Sequence, residues 1–378
     1  MAPTADAYWL ALRRVRGVGP RTARVLLERF GSAEAVFQGD EAALAGAGIP
    51  RPAVRNIVEF NDFAPLEKEL CELPTIGARL VKWTDVDYPV NLRHIPDPPP
   101  YLFVRGTLAL DDPKCVAVVG ARAASDAGRR MAQRLGLELA AKGFTVVSGL
   151  ARGTDSDAHQ GALDAQGRTI AVFGCGVDVI YPPENRKLAE AIVEGGGALI
   201  SELPLGTPPI AENFPGRNRL ISGMCLGVVI VEAAEKSGSL ITARMALEQD
   251  RQVFAVPGSP LTGKTRGSNR LIKEGARLVE CVEDVLEELL PQLGETSVRK
   301  EALISGDGGV AAADDKAIEN EPSEVRNILN LLKTADRLHV DALIEASGVN
   351  VQTVLKLLLE LELRGLVTQH PGKLFSLA

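Results

Sequence analysis

Six short apolar segments constrain the fold of this chain more than any other feature. They read CVAVVG, FTVVSG, TIAVFG, ALISE, GVVIVEA and QVFAVPG, and they lie between Cys115 and Gly258. Runs so rich in valine, alanine and isoleucine are typical of strands that are buried on both faces. Helical patterns such as GRRMAQRLGLELAAKG and LITARMALEQD separate several of them. Strand, helix and strand at a spacing of roughly 30 residues predict an α/β fold with a doubly wound, mostly parallel sheet.

Ligands of such sheets bind beyond the carboxyl ends of the strands, and the residues at these positions are rich in Gly, Ser, Thr and Arg. The segments there include GARAAS, SGLARGTD, GCGVD and AEKSGS, and the segment after ALISE ends in FPGRNR. Three of the five carry arginine, and their glycines leave backbone N–H groups accessible. Together they predict a site that holds phosphates by charge-assisted hydrogen bonds.

The regions on the N-terminal side are helical and then proline-rich. Residues 7–60 contain WLALRRV, RGVGPRTARVLLERFG and LAGAGIPRPAVRNIVEF, which resemble a helix-hairpin-helix. The Gly17-Val18-Gly19 turn either offers backbone N–H groups to a phosphate or only permits a tight turn between packed helices. Residues 71–106 read as a connector that packs on the next domain.

The C-terminal side divides into a linker and a small domain. Residues 291–321 are small and acidic without apolar periodicity, which predicts a flexible linker. The segments that follow indicate three helices and a two-stranded wing. We therefore predict four regions: an N-terminal helical domain of helix-hairpin-helix/SAM-like type (1–75), an extended Rossmann-like domain (76–290), an acidic flexible linker (291–321) and a winged-helix domain (322–378).

The negative charge is confined to one part of the chain. Residues 280–324 contain thirteen acidic and three basic residues, a net charge of −10, whereas the whole chain carries −7. The remainder therefore carries +3, and the acidic total does not exclude a polyanionic partner. The sequence has no apolar run long enough for a membrane span and no leader pattern, so a cytoplasmic protein is expected. Its five cysteines are scattered without a CxxC pair, as expected of buried small hydrophobes.

The sequence contains little that would support catalysis. His159 is the one candidate for acid–base chemistry, and its alternative role is to pack at the start of a helix. No serine has GxSxG spacing, and no nucleophile–base pair is evident. Hydrolysis of ATP or GTP by a phosphate-loop mechanism is not expected. Positive charge without such groups favours binding over turnover, and a phosphate-rich ligand that is held but not cut suggests a nucleic acid strand.

Taken together, these segments resemble the DprA (Smf) family of bacterial DNA-processing proteins. The resemblance extends over residues 114–279 almost without a break. It is carried by VAVVGAR, VVSGLARGTDSDAHQGAL, TIAVFGCGVDVIYPPEN, ISELPLGTPPIAENFPGRNRLISG, VVIVEAAEKSGSLITARMALEQDRQVFAVPG and GSNRLIKEGA. The helical N-terminal region and the winged-helix-like C-terminal region also fit the three-part layout of the family.

The resemblance implies a protein that binds single-stranded DNA without cutting it. It further implies protection of incoming DNA in natural transformation, loading of the recombinase RecA in homologous recombination, and a homodimer. By this interpretation the chain is not an enzyme, uses no cofactor or metal, and binds DNA through residues 76–290. Candidate dimer surfaces are an exposed sheet edge and the apolar segments near residues 221–230 or 253–279.

Carried over position by position, the resemblance places the DNA contacts in the turns described above. The arginine of the family's Gly-Ser-Arg turn is kept at Gly120-Ala121-Arg122, but the hydroxyl is absent. Arg217 and Arg219 are expected to hold backbone phosphates, and Asn218 to bond a phosphate or a base edge. Such phosphate contacts position a strand without reading its sequence.

Phe173 either stacks on a base or belongs to the hydrophobic core. The full set of predicted DNA-binding residues is Gly120, Arg122, Ser148, Gly149, Arg152, Gly153, Phe173, Gly174, Arg217, Asn218, Arg219, Ser237, Gly238, Ser239 and Thr242.

Two other functional classes remain open. The central domain also resembles the phosphoribohydrolases that make cytokinin, whose PGGxGTxxE turn supplies a catalytic glutamate. The corresponding turn here reads KSGSLITA and lacks that glutamate, and release of free base from a nucleoside monophosphate would distinguish this class. A transcription regulator would instead need sequence-specific binding of duplex DNA by the winged helix.

The predicted recognition helix of the winged-helix domain, NVQTVLKLLLELELRG, has no net charge. Lys356 and Arg364 are balanced by Glu360 and Glu362, and leucines occupy nearly all sides. A helix with so few cations is poorly suited to the major groove of DNA. We therefore hypothesise that this domain contacts protein or regulates the phosphate site.

A chain that ends near residue 290 tests this hypothesis. It should keep most of the affinity for single-stranded DNA, because the domain that it lacks contributes few phosphate contacts. Gel-shift titration of the full and shortened chains with the same oligonucleotide measures the difference. Loss of most of the affinity would contradict the hypothesis.

Overall fold

The computed structural model of the chain describes residues 3–109, 114–291 and 293, together with positions near the C-terminus. The latter are residues 325, 326, 329, 331, 332, 338, 339, 343, 353, 354, 357, 358, 361, 367–370 and 374–377. The chain forms two compact units, Met1–Arg299 and Lys300–Ala378. The predicted linker, apart from residues 291 and 293, lies outside the described residues.

A nine-stranded sheet forms the centre of the first unit, in the order β1-β2-β6-β5-β4-β3-β7-β8-β9. The six strands from β3 to β8 pair in parallel and correspond to the six apolar segments of the sequence, which confirms the predicted fold class. The strands are β1 (Ala78–Lys82), β2 (Tyr101–Gly106), β3 (Cys115–Val119), β4 (Thr145–Ser148), β5 (Thr169–Val172), β6 (Ala198–Ser201), β7 (Gly227–Ile230), β8 (Gln252–Ala255) and β9 (Arg277–Leu278).

The proline-rich segment 71–106 is more than the predicted connector, because it adds two strands to the sheet. β1 pairs with β2, and β2 pairs with β6, both antiparallel. The apolar pattern does not predict these two strands, because they precede the parallel strands β3 to β8 in the sequence and are flanked by prolines. Their side chains Tyr101 and Phe103 are fully buried in the core.

Thirteen α-helices are complete within the described ranges, and residues 282–291 are also helical. Ser125 caps α8 by accepting a hydrogen bond from the Gly128 N–H at 3.1 Å. The helices are α1 (Ala5–Arg14), α2 (Pro20–Phe30), α3 (Ala33–Gln38), α4 (Glu41–Ala45), α5 (Arg51–Val58), α6 (Ala64–Glu72), α7 (Val90–Arg93), α8 (Asp126–Ala141), α9 (Thr154–Asp164), α10 (Arg186–Glu194), α11 (Asn213–Met224), α12 (Ser239–Glu248) and α13 (Arg266–Lys273). None of the helices in the described ranges is both long enough and apolar enough to cross a lipid bilayer.

The N-terminal helices pack on one face of the sheet. Leu10, Leu26 and Ile57 belong to the same hydrophobic cluster as Phe103 and Phe173. In the first hairpin, between α1 and α2, Gly17 has φ +89°, a conformation that glycine adopts without strain. DNA contact by this hairpin stays a prediction.

The order of the strands reverses beside β3. From β3 the chain proceeds outward through β4, β5 and β6, and then returns to place β7 on the opposite side of β3. The turns that follow β3 and β7 therefore lead in opposite directions and leave a crevice between them. This is the position at which open α/β sheets bind ligands.

The second unit contains a three-stranded antiparallel sheet in the order β10-β12-β11. Its strands are β10 (Leu338–His339), β11 (Val367–His370) and β12 (Leu374–Leu377). β11 and β12 form the predicted wing, and β10 is an additional short strand. Leu329, Leu343, Val354, Leu358 and Phe375 are among the apolar residues that form its own core. The charged residues of the predicted recognition helix lie outside the described part of the chain.

His159 packs in the interior of α9 and is fully buried. Its Nδ1 lies 2.6 Å from Oγ1 of Thr169, and that hydroxyl donates to the carbonyl of Val146 at 2.7 Å. Nδ1 therefore carries the proton and donates to the threonine oxygen. Burial, and to a lesser degree the charge of Arg217, lowers the pKa of His159 to about 3. The side chain is a neutral packing group, which agrees with the packing interpretation and not with acid–base chemistry.

The burial of His159 predicts a pH dependence of stability. Between the ordinary histidine pKa of about 6.5 and the lowered value, the unfolded chain binds a proton that the folded chain does not, so stability falls as the pH falls. His159→Asn keeps a donor for Thr169 but cannot titrate. As the pH falls, the free energy of unfolding of this variant should therefore decrease less steeply than that of the unaltered chain, by up to about 1.4 kcal/mol per pH unit. Denaturant titrations from pH 4 to pH 7.5 measure this, and equal slopes would contradict the burial of a neutral imidazole.

Candidate nucleic-acid interface

A cavity of about 680 Å³ opens at the carboxyl ends of β3 and β7. Its walls are the turns after these two strands, the first turns of α11 and the side chain of Tyr181. Two smaller cavities, of about 380 and 30 Å³, adjoin it, and Arg122 lines all three. We call the three cavities together the groove.

The turn after β3 is fixed against the turn after β7. Glu232, just beyond β7, is buried and accepts hydrogen bonds from the N–H and the hydroxyl of Ser125, at 3.1 and 2.7 Å. The carboxylate thus also lies at the positive end of α8, which stabilises its charge. A Cβ atom at Gly120 would come within 2.7 Å of Oγ1 of Thr154. This packing requires glycine at position 120 and fixes the place from which Arg122 projects.

The Pro-Gly pair before Arg217, Asn218 and Arg219 suggests a turn. In the structure the three residues instead lie on α11. Successive residues of an α-helix are about 100° apart around its axis. The side chains of Arg217 and Arg219 therefore leave the helix in nearly opposite directions. The two arginines do not face one ligand.

Arg217 points under the groove and is buried. Its Nη1 donates to the carbonyl of Gly149 at 2.9 Å and also to the carbonyl of Val172, so α11 is joined to the ends of β4 and β5. Burial lowers the pKa of the Arg217 guanidinium to about 10, and the charge of Asp155 opposes that shift. The group remains protonated at neutral pH.

Asp155 and Gly149 complete the surroundings of this guanidinium. Asp155 is buried and accepts hydrogen bonds from the N–H groups of Gly149 and Ala151, at 3.1 and 3.4 Å. Burial raises its pKa, and Arg217 is the largest influence in the other direction. A Cβ atom at Gly149 would lie 2.4 Å from Nη1 of Arg217. Gly149 is therefore needed to admit the guanidinium.

Arg219 lies on the other side of α11, away from the groove. Its Nη2 pairs with Oε2 of Glu202 at 2.5 Å, its Nε lies 3.5 Å from Oδ2 of Asp97, and both Arg219 and Glu202 side chains are largely buried. This guanidinium is already satisfied by carboxylates. The structure therefore does not support the expectation that Arg219 holds a phosphate.

Among the described residues, four exposed cations line the groove: Arg122, Arg129, Arg152 and Lys236. Arg129 pairs with Asp157, and Arg152 pairs with Glu184. Arg122 and Lys236 have no ion-pair partner in the part of the chain that the structure describes. The accessible positive charge of the groove thus comes from fewer residues than the sequence suggests.

An aromatic ring that the sequence analysis did not select lies at the centre of the groove. Phe214 is half-buried, and the Cζ atoms of Arg122 and Arg217 lie 5.5 and 5.8 Å from its ring centroid. The ring of Tyr181 is 5.9 Å away. A Cβ atom at Gly174 would come within 2.8 Å of Cδ1 of Phe214, so this glycine makes room for the ring. The only local signal was the position of Phe214 beside the Pro-Gly pair.

Phe173 belongs to the hydrophobic core, where it is 3% exposed. Of the two roles left open by the sequence, the structure therefore supports packing. Ser148 is also fully buried, and its hydroxyl donates to the carbonyl of Val118 at 2.7 Å. Neither side chain is accessible to a ligand in the groove.

The turn after β7 supplies hydroxyl groups to the wall opposite Arg122. The Oγ atoms of Ser237 and Ser239 lie 2.7 Å apart, and Thr242 follows one turn later on α12. Asn218 approaches the same turn, with its Nδ2 3.5 Å from the carbonyl of Gly238. A Cβ atom at Gly238 would meet nothing within 4 Å, so the backbone there is open to the cavity.

The groove brings together eleven of the fifteen residues predicted from the sequence. The main cavity is lined by Gly120, Arg122, Arg217, Asn218, Ser237, Gly238, Ser239 and Thr242. The two smaller cavities add Gly149, Arg152 and Gly153. The residues that do not line these cavities are Ser148, Phe173, Gly174 and Arg219.

The string GSPLTGKT after β8, residues 258–265, has the GxxxxGK[ST] spacing of a phosphate-binding loop. The sequence alone therefore does not exclude this type of site. Its geometry is different, because Nζ of Lys264 donates to the carbonyl of Ala123 at 2.9 Å and the Thr265 hydroxyl donates to the carbonyl of Ser259 at 2.7 Å. A phosphate loop would aim this lysine at the loop centre. Here Lys264 instead joins the β8–α13 loop to the turn after β3.

Three family models match the chain. Residues 79–290 match DNA recombination-mediator protein A, residues 312–373 match the DprA winged helix domain, and residues 10–60 match a SAM-like helix-hairpin-helix tandem. The first match contains the whole groove.

Relatives of known name agree with these matches. The chain is 34% identical to Protein Smf of Synechocystis over 98% of both chains. It superposes on DNA processing protein A of Streptococcus pneumoniae with a TM-score of 0.64 and 38% identity, covering 76% of this chain and 99% of that one. DNA processing protein A of Helicobacter pylori, whose structure was solved to describe its binding of single-stranded DNA, matches with a TM-score of 0.51 and 30% identity, over 57% and 96%. The chain therefore belongs to the DNA recombination-mediator protein A family, also called DprA or Smf.

Proposed function

We propose that the groove binds single-stranded DNA and does not cut it. The observation that carries this proposal is the arrangement around Phe214, where an exposed and a buried guanidinium lie 5.5 and 5.8 Å from the centroid of a half-buried ring at the switch point of the sheet. A flat aromatic surface beside accessible cations is the combination by which proteins hold unpaired strands. The single-stranded DNA binding of the Helicobacter pylori relative supports the same assignment.

Each wall of the groove has a separate task in this proposal. Arg122 and Lys236 contact phosphates, because they are exposed and free of carboxylate partners. Asn218 and the hydroxyls of the turn after β7 accept or donate hydrogen bonds along the backbone or at a base edge. Phe214 stacks on a base, which requires that the base be unpaired.

Arg217 acts from beneath this surface. It shapes the groove through its hydrogen bonds to Gly149 and Val172, and it adds positive potential below the ring of Phe214. Direct contact of its guanidinium with phosphate is not needed. The proposed contact residues thus differ from the sequence expectation at Arg217 and Arg219.

Binding without turnover is supported by the carboxylates of the groove. Among the described residues, Asp155 is the only acidic residue that lines the main cavity, and backbone N–H groups and Arg217 already engage it. A phosphoribohydrolase would need a carboxylate in this cavity that is free to act on the substrate. We therefore favour a binding protein over the enzyme alternative.

We further propose, from membership of the family, that the chain protects incoming DNA, loads RecA onto it and acts as a homodimer. Residues 221–230 are buried within the first unit, which removes them as a dimer surface. The sheet edges and the exposed parts of residues 253–279, such as Leu261 and Leu278, remain candidates.

Replacing the two unpaired cations tests the groove directly. Arg122→Ala and Lys236→Ala should each weaken binding of single-stranded DNA regardless of sequence, and each should reduce the slope of log affinity against log salt by roughly 0.7. Fluorescence anisotropy over a salt series measures both quantities. Arg134→Ala is the matched control, because Arg134 is exposed on α8, pairs with Glu138 and does not line the groove. Equal effects in all three variants would contradict the proposed site.

The same variants test the proposed protection of DNA and the proposed loading of RecA. Nuclease protection of the strand and RecA assembly on it should both decline in Arg122→Ala at concentrations where the unaltered chain is active. If either persisted while DNA binding was lost, that activity would not depend on the groove.

Phe214→Leu separates stacking from charge. Loss of a base–aromatic contact of about 1–3 kcal/mol should weaken binding by roughly 5- to 150-fold and leave the salt slope unchanged. Phe173→Leu is the control for a nearby core phenylalanine. It should lower the thermal stability but not the DNA affinity of the folded protein. An affinity loss in Phe173→Leu with none in Phe214→Leu would reverse the two assignments.

A further inference from the structure

The two smaller cavities of the groove share two arginines, Arg122 and Arg152. Arg122 is unpaired, whereas Nε of Arg152 donates to Oε1 of Glu184. Both members of this pair are exposed, with 59% and 46% of their side chains accessible. Arg152 therefore has the position of a phosphate-binding residue but already holds an anion of the same chain.

Glu184 is positioned for this contact by the backbone around it. It lies in a short 3₁₀ turn, Pro183–Asn185, that follows Pro182. Nδ2 of Asn185 donates to the carbonyl of Leu150 and to Oγ of Ser156, both at 2.8 Å. These bonds attach the 3₁₀ turn to the segment that carries Arg152. The carboxylate is thus held beside the guanidinium, and the hydrogen bond from Arg152 lowers the pKa of Glu184, which keeps it charged.

The larger of these two cavities is also lined by a third arginine, Arg129, whose guanidinium is paired through two of its nitrogen atoms. Arg129 forms two hydrogen bonds with Asp157, at 2.9 and 3.1 Å. Ser156 and Gly153 complete the polar wall of this cavity of about 380 Å³. The cavity has room for a phosphate group, and Arg152 lines it together with the unpaired Arg122.

We propose that Arg152 forms a second phosphate subsite, and that Glu184 occupies its guanidinium in the DNA-free protein and must be displaced by the strand. The carboxylate acts as an internal competitor that weakens binding. An exposed ion pair of this kind contributes about 0.2–1 kcal/mol, so its removal should strengthen binding by no more than about 5-fold. The proposal rests on the function assigned to the groove.

Glu184→Gln tests it by a gain of affinity. This variant should bind a short oligothymidylate about 1.4- to 5-fold more tightly than the unaltered chain at low salt, measured by anisotropy. Arg152→Gln should bind more weakly, with a salt slope reduced by roughly 0.7. The double variant should bind like Arg152→Gln alone, because Glu184 acts only through that arginine.

Glu235→Gln is the matched control. Glu235 is exposed beside Lys236 and lies 3.9 Å from Arg266, so its neutralisation changes the charge of the groove rim without touching Arg152. An equal gain in Glu235→Gln, or a gain by Glu184→Gln that persists in the Arg152→Gln background, would indicate a general charge effect and overturn the proposal.

The outcomes also separate this proposal from the function on which it rests. If Arg122→Ala weakens binding but Glu184→Gln leaves it unchanged, the second subsite is wrong and the groove remains the DNA site. If neither variant changes the affinity, the groove itself is not the DNA site.

Discussion

The buried guanidinium of Arg217 is the interaction on which the groove depends. It donates to carbonyls at the ends of two adjacent strands, β4 and β5, from a helix that follows β6. A buried cation without partners would be very costly, and here the carbonyl oxygens and the charge of Asp155 offset that cost. Because Gly149 has no side chain, the guanidinium can lie directly against the backbone. The floor of the groove is therefore a network of polar groups that fixes α11 and, with it, Phe214.

This network divides the arginines of the region into two kinds. Arg217 and Arg219 are buried and satisfied within the protein, so they position α11 against the sheet and against Glu202. Arg122 and Arg152 are exposed on the rim, where their charge is available to a ligand. The rim cations are few, and the ring of Phe214 lies within 6 Å of two guanidinium groups, Arg122 and Arg217. Affinity for a strand would thus come from a small number of contacts that are held rigidly.

The location of the groove follows from the topology of the sheet. The strand order reverses between β3 and β7, and the turns after these strands diverge there. Glu232 and Ser125 hold the two turns at a fixed separation across the crevice. The N-terminal helices share a core with one face of the sheet, and none of the described residues 3–75 lines the groove. The family match over residues 79–290 coincides with the part of the chain that builds it.

The sequence by itself determined the elements whose signals are local. The apolar runs predicted all six parallel strands and the edge of the sheet at which the groove lies, because strand burial depends on neighbouring residues. It also identified the family. Strands β1 and β2 were missed because prolines obscure their pattern and because β2, which joins β1 to the sheet, pairs with β6 about 100 residues away.

Only the tertiary structure decided which of the predicted side chains are accessible. Phe173 and Phe214 both lie beside glycine or proline in the sequence, yet one is in the core and the other in the groove. Arg217 and Arg219 are two residues apart, and the turn of the helix sends them to opposite sides. Arg152 is exposed, but it pairs with the carboxylate of Glu184, which lies 32 positions away in the sequence. Exposure and pairing are set by contacts between distant segments, and no local pattern contains them.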